Sequence, residues 1–305
     1  MKVRPWAGAI LKLSGTRDVT RNEYNTPDTG RNLHKSVSLR YNQSIGERVD
    51  LNLTALSDIV SIMYDDKEAN PKDRDLLSNR IEIGVTYTPL PRVTTRFGLD
   101  FSEEYQVYVK SASSANSRVK RKYHVSGSYD LKTVYNIKIT QKYDIGASYT
   151  LYEFTKSNNV LVRNSDVSTT IQFPIRRGLA LSLRHRYKYQ DQGGYDEATG
   201  GYDRSSERES HRLDLSVRYA IGNHINLRFR QSYYIQHNWS YEDGKKKLDF
   251  ITRATDMSGK MAMEYSFSRR TSISLVVERN WQEGTRVTEE FRRYWNVEVV
   301  ASHVF

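Results

Sequence analysis

Between residues 93 and 101 the chain alternates without a break. Val93, Thr95, Phe97, Leu99 and Phe101 occupy the odd positions, with Thr94, Arg96, Gly98 and Asp100 between them. Successive side chains of a strand point to opposite faces, so this segment makes a strand with one apolar and one polar face. A helix would instead set Arg96 and Asp100 on the same stripe as Phe97. The same period recurs along nearly the whole chain: Val37, Leu39 and Tyr41; Val49, Leu51 and Leu53; Ile81, Ile83, Val85 and Tyr87; Tyr123, Val125 and Tyr129; Ile137, Ile139, Tyr143 and Ile145; Val167, Thr169, Ile171 and Phe173. It continues through Leu179, Leu181 and Leu183; Leu213, Leu215, Val217 and Tyr219; Ile225, Leu227 and Phe229; Met261, Met263, Tyr265 and Phe267; Ile273, Leu275 and Val277; and Trp295 to Phe305.

The connections alternate as well. Short ones are expected at Ile45–Arg48, Pro89–Arg92, Leu131–Val134, Pro174–Gly178, Ile221–His224 and Ser268–Thr271. Longer polar ones are expected near 16–32, 65–78, 110–118, 154–159, 190–208, 241–247 and 284–290. With a first strand near 2–15, the pattern predicts an all-β, antiparallel up-and-down meander of roughly 14 strands. No linker or composition break divides it, so residues 1–305 are expected to form a single domain.

Composition narrows what such a sheet can be. Hydrophobic residues are 37% of the chain, below the ~45–50% of soluble domains. No stretch approaches the ~18 apolar residues of a transmembrane helix. The chain has 22 Tyr and no Cys, which excludes disulfide frameworks and thiolate metal sites. A soluble sandwich would have to pack its apolar faces on one another. The polar face is too charged to fill the interior of a closed soluble barrel, and the strands are too long for a small sandwich. Aromatics also recur at two levels of the apolar face. Tyr41, Tyr87, Tyr129, Tyr135, Phe173, Tyr219 and Phe267 lie near the short turns; Tyr105, Tyr149, Tyr187, Tyr233, Trp239 and Trp281 lie toward the long loops. Two such belts match the two interfaces of a membrane.

With these features and a last strand of Trp295, Val297, Val299, Ala301, His303 and Phe305, the chain resembles the bacterial outer-membrane β-barrels, the porin-like family. The resemblance covers essentially the whole chain. It implies a transmembrane barrel integral to the bacterial outer membrane, with short turns in the periplasm and long loops outside. It also implies that Trp295, Val297, Val299 and Phe305 form the signal read by the barrel-assembly machinery. His303 departs from the more usual apolar residue. No charged n-region or apolar h-region follows Met1, so a mature or re-engineered form, or the C-terminal part of a longer precursor, is expected.

About 14 strands leave a narrow channel, lined by the even-numbered residues. Asp50, Asp58, Glu82, Asp100 and Glu104 contribute acids, relieved by Arg80 and Arg96. Arg184, Arg186, Lys188, Arg212, Arg218, Arg228 and Arg230 contribute a basic wall, with Asp214 as its main counter-charge. The excess of cations predicts passage of small polar or anionic solutes; the alternative is a lattice of ion pairs between neighbouring strands. A structural barrel that docks a partner protein, and an outer-membrane enzyme, are the other functional classes weighed.

Candidate chemistry is sparse. The loop Asp191–Asp203 is rich in Gly and acids but lacks the ligand spacing of a calcium loop, and is expected to be a flexible external loop. His124 has Ser126 and Asp130 on its face, in a wet setting ill-suited to a catalytic triad. His185 and His211 fall on adjacent strands with no carboxylate expected on their face. No cofactor, metal or catalytic residue is therefore expected. The net charge of +11 is spread at period two rather than clustered, so a nucleic-acid partner is not expected either. Outer-membrane lipids are.

Overall fold

A computed structural model describes residues 2–3, 8–22, 30–65, 73–109, 111–176, 178–221, 225–268, 271–284 and 292–303. The strands are β1 (Lys2–Val3), β2 (Ala9–Asn22), β3 (Gly30–Ile45), β4 (Val49–Tyr64), β5 (Arg74–Leu90), β6 (Val93–Tyr108), β7 (Arg118–Lys132) and β8 (Lys138–Tyr152). They continue as β9 (Val160–Arg176), β10 (Leu179–Asp196), β11 (Gly201–Ile221), β12 (Ile225–Glu242), β13 (Lys245–Ser268), β14 (Thr271–Gly284) and β15 (Arg292–His303). Two short 3-10 turns, Ser111–Asn116 and Lys156–Asn158, sit in connections. The strands are hydrogen-bonded in chain order as one 15-stranded sheet.

The predicted meander is therefore the observed one, with one addition at its start. The expected strand at 2–15 is two strands. Gly8, at φ +78, turns the chain between the two-residue β1 and β2, and β2 runs on to Asn22 through positions assigned to a loop.

Two compact units are distinguished, residues 1–128 with 143–165 and 190–206, and residues 129–142 with 166–189 and 207–305. In the first, register carries odd residues onto odd residues: Leu13 faces Leu39, Leu39 faces Ala55, Ala55 faces Ile81 and Ile81 faces Phe101. Across this band the even set is polar by the same rule, with Arg40 opposite Thr54, Thr54 opposite Glu82 and Glu82 opposite Asp100, whereas farther along Val60 is registered with Leu76. In the second, Leu227 is registered with Met261, Met261 with Val277 and Val277 with Val297.

Burial along these faces is the reverse of that in a water-soluble protein. Among the described residues the buried hydrophobics are Ala9, Leu151 and Leu161, while Leu13, Val37, Ile59, Ile81, Phe97, Leu99, Ile145 and Val297 stand exposed. The buried set is instead polar and includes Asp191, Glu207, Asp214, Ser232 and Asn238. Large exposed apolar faces mark contact with something other than water, and the strands have the length for a bilayer. A tilted strand crosses in ~9–11 residues, whereas β3 and β4 have 16 each and β13 has 24.

Two expected loops are strand instead. Residues 191–203, read as a flexible loop, form the end of β10, a turn at 197–200 and the start of β11. Asp191 holds this extension. Its carboxylate accepts from Arg163 Nε at 2.9 Å and Nη2 at 2.6 Å, with Arg204 Nη2 at 3.2 Å, and it is 1% exposed. Arg163 also lies 4.4 Å over the Tyr202 ring. Asp191 raises the Arg163 guanidinium above its ordinary value; burial, then Asp191, pushes up the Tyr202 phenol. Gly193 is required for close approach, since a Cβ there would meet the Asp203 carbonyl oxygen at 2.0 Å. The connection expected at 241–247 is a two-residue turn. Asp243 and Gly244 have φ of 51 and 71, the left-handed pair of a tight hairpin, and Glu242 faces Lys245 across it.

Two substitutions test these hairpins. Asp191→Asn leaves two guanidiniums around a buried neutral amide. It should destabilise the hairpin by about 2–3 kcal/mol, less than a fully buried pair because the arginines keep water contact. Hydrogen exchange over 190–206 should accelerate, and an unchanged rate would remove the ion pair from this role. Gly244→Val should cost about 1–2 kcal/mol through its left-handed backbone, seen as faster proteolysis near residue 244.

Candidate functional site

The charged face is built by register. Because β5 and β6 pair Glu82 with Asp100 and Arg80 with Ser102, Arg80 lies on the diagonal to Asp100. Its Nε reaches Glu82 Oε1 at 2.7 Å and its Nη2 bonds Asp100. One arginine therefore serves two of the five expected acids. Asp58 Oδ1 lies 3.4 Å from His34 Nε2, and Asp50 accepts from Ser44 Oγ at 2.6 Å. Glu104 faces Ser78 in register. It lines a concavity of about 480 Å³ with Arg80, Asp100, Lys122 and His124. A neighbouring recess of about 310 Å³ shares Asp100 and His124 and adds Asn52, Glu82 and Ser126.

The basic residues divide into two groups. Arg186 bonds Asp166 through Nε at 2.9 Å and again through Nη2, and Lys188 lies 3.8 Å from the same carboxylate. Arg212 Nε donates to the buried Asp214 at 2.9 Å and Nη2 to Ser232 at 3.3 Å. Arg184, Arg218, Arg228 and Arg230 are exposed, and make no ion pair among the described residues. Asp214 is thus one of two counter-charges. Asp166 went unrecognised because β9 begins seven residues earlier than its first clear apolar alternation, at Val160. Ion pairs to a neighbouring strand account for Arg80, Arg186 and Lys188, Arg212 pairs within its own strand, and Arg184, Arg218, Arg228 and Arg230 join neither set among the described residues.

The histidines depart from expectation once. His124 Nε2 lies 2.9 Å from Asp144 Oδ1 on β8, while Asp130 accepts from Thr140 Oγ1 at 2.7 Å. His185 Nε2 and His211 Nδ1 stand 3.4 Å apart, beside Tyr187 at 5.0 Å between centroids. A carboxylate does share their face, since Glu209 Oε1 is 3.4 Å from His211 Nε2. Its odd number places it there, one residue beyond the stretch 190–208 expected to be a loop. Among the described residues no group of three His, Cys, Asp or Glu could hold a metal ion.

Of the expected assembly signal, Trp295, Val297 and Val299 are exposed on the odd face of β15, with Trp295 registered opposite Arg279. Phe305 lies outside the described residues, as does His224.

No protein-family model matches the chain, and no curated protein matches it. Solved structures do. The ferric enterobactin receptor of Pseudomonas aeruginosa superposes with a TM-score of 0.58 at 11% identity, covering 90% of this chain and 44% of the receptor. The alcaligin outer-membrane receptor of Bordetella pertussis gives 0.53 at 11% identity, over 97% of this chain and 57% of that one. The chain thus spans about half the length of these relatives. At such identities the likeness establishes the fold: an antiparallel, up-and-down sheet of the kind that forms outer-membrane β-barrels.

Proposed function

We propose that the chain is an integral protein of the outer membrane that carries solutes across it along the charged even-numbered face. The observation that carries this reading is the segregation of the two faces. Register keeps an exposed apolar set on one side, fit for lipid, and an ionised, partly concave set on the other, fit for water. Sheet edges and unpaired backbone groups are not tolerated in lipid, so a sheet of this length must close or be closed by further strands. The ferric enterobactin and alcaligin receptors, with the same fold, support a role in outer-membrane transport.

Within that role we favour porin-like passage of small polar or anionic solutes without an enzymatic step. Arg218 on β11 and Arg228 and Arg230 on β12 are exposed at even positions. A set of exposed cations raises the local anion concentration and lowers the cost of an anion shedding hydration. The acids at Glu82, Asp100 and Asp166 are held by their own arginines and offset this set less than their number suggests. The exposed last strand, with Trp295, Val297 and Val299, suits recognition by the barrel-assembly machinery. Docking of a partner protein remains the competing role, and a co-purifying chain with a blocked conductance would favour it.

Reversal potentials in a salt gradient across a planar bilayer test the pathway. The wild type should conduct with anion preference, and Arg218→Gln/Arg228→Gln/Arg230→Gln should bring the anion-to-cation permeability ratio toward unity. Cation preference in the wild type would overturn the assignment of the selectivity, and absence of conductance would overturn the open channel.

A further inference from the structure

The hairpin of β2 and β3 carries a second basic feature, on the opposite face from the solute pathway. Register sets Leu11 against Tyr41, Leu13 against Leu39 and Gly15 against Val37, all within the apolar band. The next pair on that face is Arg17 against Lys35. Val19 then faces Leu33, and Arg21 faces Arg31. Two cross-strand pairs of like charge thus stand on the apolar side of one hairpin, at the end joined by residues 23–29 rather than by a short turn. Like charges directly opposite destabilise a ladder, and their cost rises where lipid displaces water.

Arg21 Nη2 lies 3.6 Å from Asp65. On β4, the residues registered with Lys35, Leu33 and Arg31 are Ile59, Ser61 and Met63, and Arg31 Nη2 points at the Met63 sulfur at 3.8 Å. Among the described residues Arg17 and Lys35 have no carboxylate partner, and all four cations are exposed. The two pairs lie four residues apart along the strand, about 14 Å. Directly beside them Leu13, Val37 and Ile59 are exposed.

We propose that this patch binds the phosphates of a phosphorylated glycolipid in the outer leaflet. The inference rests on the membrane reading given above. Charge complementarity selects an anion. The adjoining apolar band selects one that carries acyl chains, and the spacing of the two pairs matches a headgroup with two phosphates better than one small anion. Each cation near a membrane surface contributes on the order of 1 kcal/mol. Removing Arg17 and Lys35 should therefore weaken binding about 30-fold.

The test uses the full chain, folded in zwitterionic detergent and first checked for heat-modifiable gel mobility. Its unfolding midpoint is followed on titration with a diphosphorylated glycolipid, the same glycolipid without phosphates, phosphatidylglycerol, and inorganic phosphate. The wild type should be stabilised by the diphosphorylated glycolipid at concentrations where the other three have little effect. Arg17→Gln/Lys35→Gln should need about 30-fold more of it. Without lipid, that variant should unfold at a higher temperature than the wild type, because a like-charge pair has gone. Equal stabilisation by the dephosphorylated glycolipid, or by inorganic phosphate alone, would overturn the proposal. An equal response to phosphatidylglycerol would overturn the glycolipid assignment, and an unchanged response in the variant would remove the residues from the site. A chain without heat-modifiable mobility would instead refute the membrane reading, and this site with it.

Discussion

Backbone hydrogen bonding between neighbouring strands is the interaction from which the other features follow. A ladder bond does more than join two strands, because it decides which residues stand opposite one another. Side chains alternate with a period of two, so a single register assigns every side chain of both strands to a face. The pairing of Leu13 with Leu39 and that of Glu82 with Asp100 obey the same rule on opposite sides of one sheet. A slip of one residue in any ladder of the band would turn its aliphatic residues toward the charges. The ladder between β12 and β13 shifts only between Asn238 and Trp239. There the chain has left the aliphatic run, and polar contacts take over. Lys246 Nζ lies 4.0 Å over the Trp239 ring and 2.6 Å from Glu207, which also accepts from Tyr241 at 2.6 Å.

The ion pairs of the structure fall into two energetic classes. Those on the even face, such as Arg80 with Asp100, keep half of the arginine in contact with solvent, and pairs of that kind contribute about 0–1 kcal/mol each. Their consequence is electrostatic rather than structural: they cancel local fields, while Arg184, Arg218, Arg228 and Arg230 make no ion pair among the described residues and set the sign of that face. Asp191 belongs to the other class. Its carboxylate is sealed by Arg163 and Arg204, and the hairpin it anchors extends beyond the length needed to cross a bilayer. That hairpin has no apolar core, so a buried ion pair and a glycine contact do the work that packing does elsewhere.

Much of this was legible from alternation alone. Segments such as 93–101 and 81–87 carried their strand assignment, their faces and their partners in the spacing of Val, Ile, Leu and Phe. The failures share a cause. Outside the aliphatic band the alternation persists in polar residues, where hydrophobic periodicity is silent. Residues 191–203 read as a loop because Gly193, Gly194, Gly200 and Gly201 resemble loop composition. In the structure Gly193 permits two strands to approach. Asp243-Gly244 was a turn signal in plain view, hidden by the polarity of Tyr241 to Lys247. Glu209 was missed beside His211 because parity was abandoned at a presumed loop boundary. Asp166, whose position follows the same parity, lies just before Val167, where the clear apolar alternation of its strand begins. Contacts across strands, such as that of His124 with Asp144, depend on the register between two segments, which neither segment encodes by itself.

The two faces also differ in what they tolerate. Lys12 and Arg40 face one another on the even side, both exposed. In water, two unit charges at 4 Å repel by about 1 kcal/mol, and the ladder absorbs that easily. Arg17 and Lys35 make the same kind of pair one face away, where apolar neighbours mark the boundary with lipid. At an effective dielectric of ~20 the same separation corresponds to about 4 kcal/mol before any counter-ion is counted. Long side chains relieve some of this by reaching toward water, and all four cations of that hairpin lie at the end from which water is reachable. Cations are therefore unremarkable on the even face, while on the odd face of this hairpin they stand at the rim of the apolar band. On the membrane reading, their position marks the end of the apolar band, a criterion independent of the aromatic belts expected from the sequence.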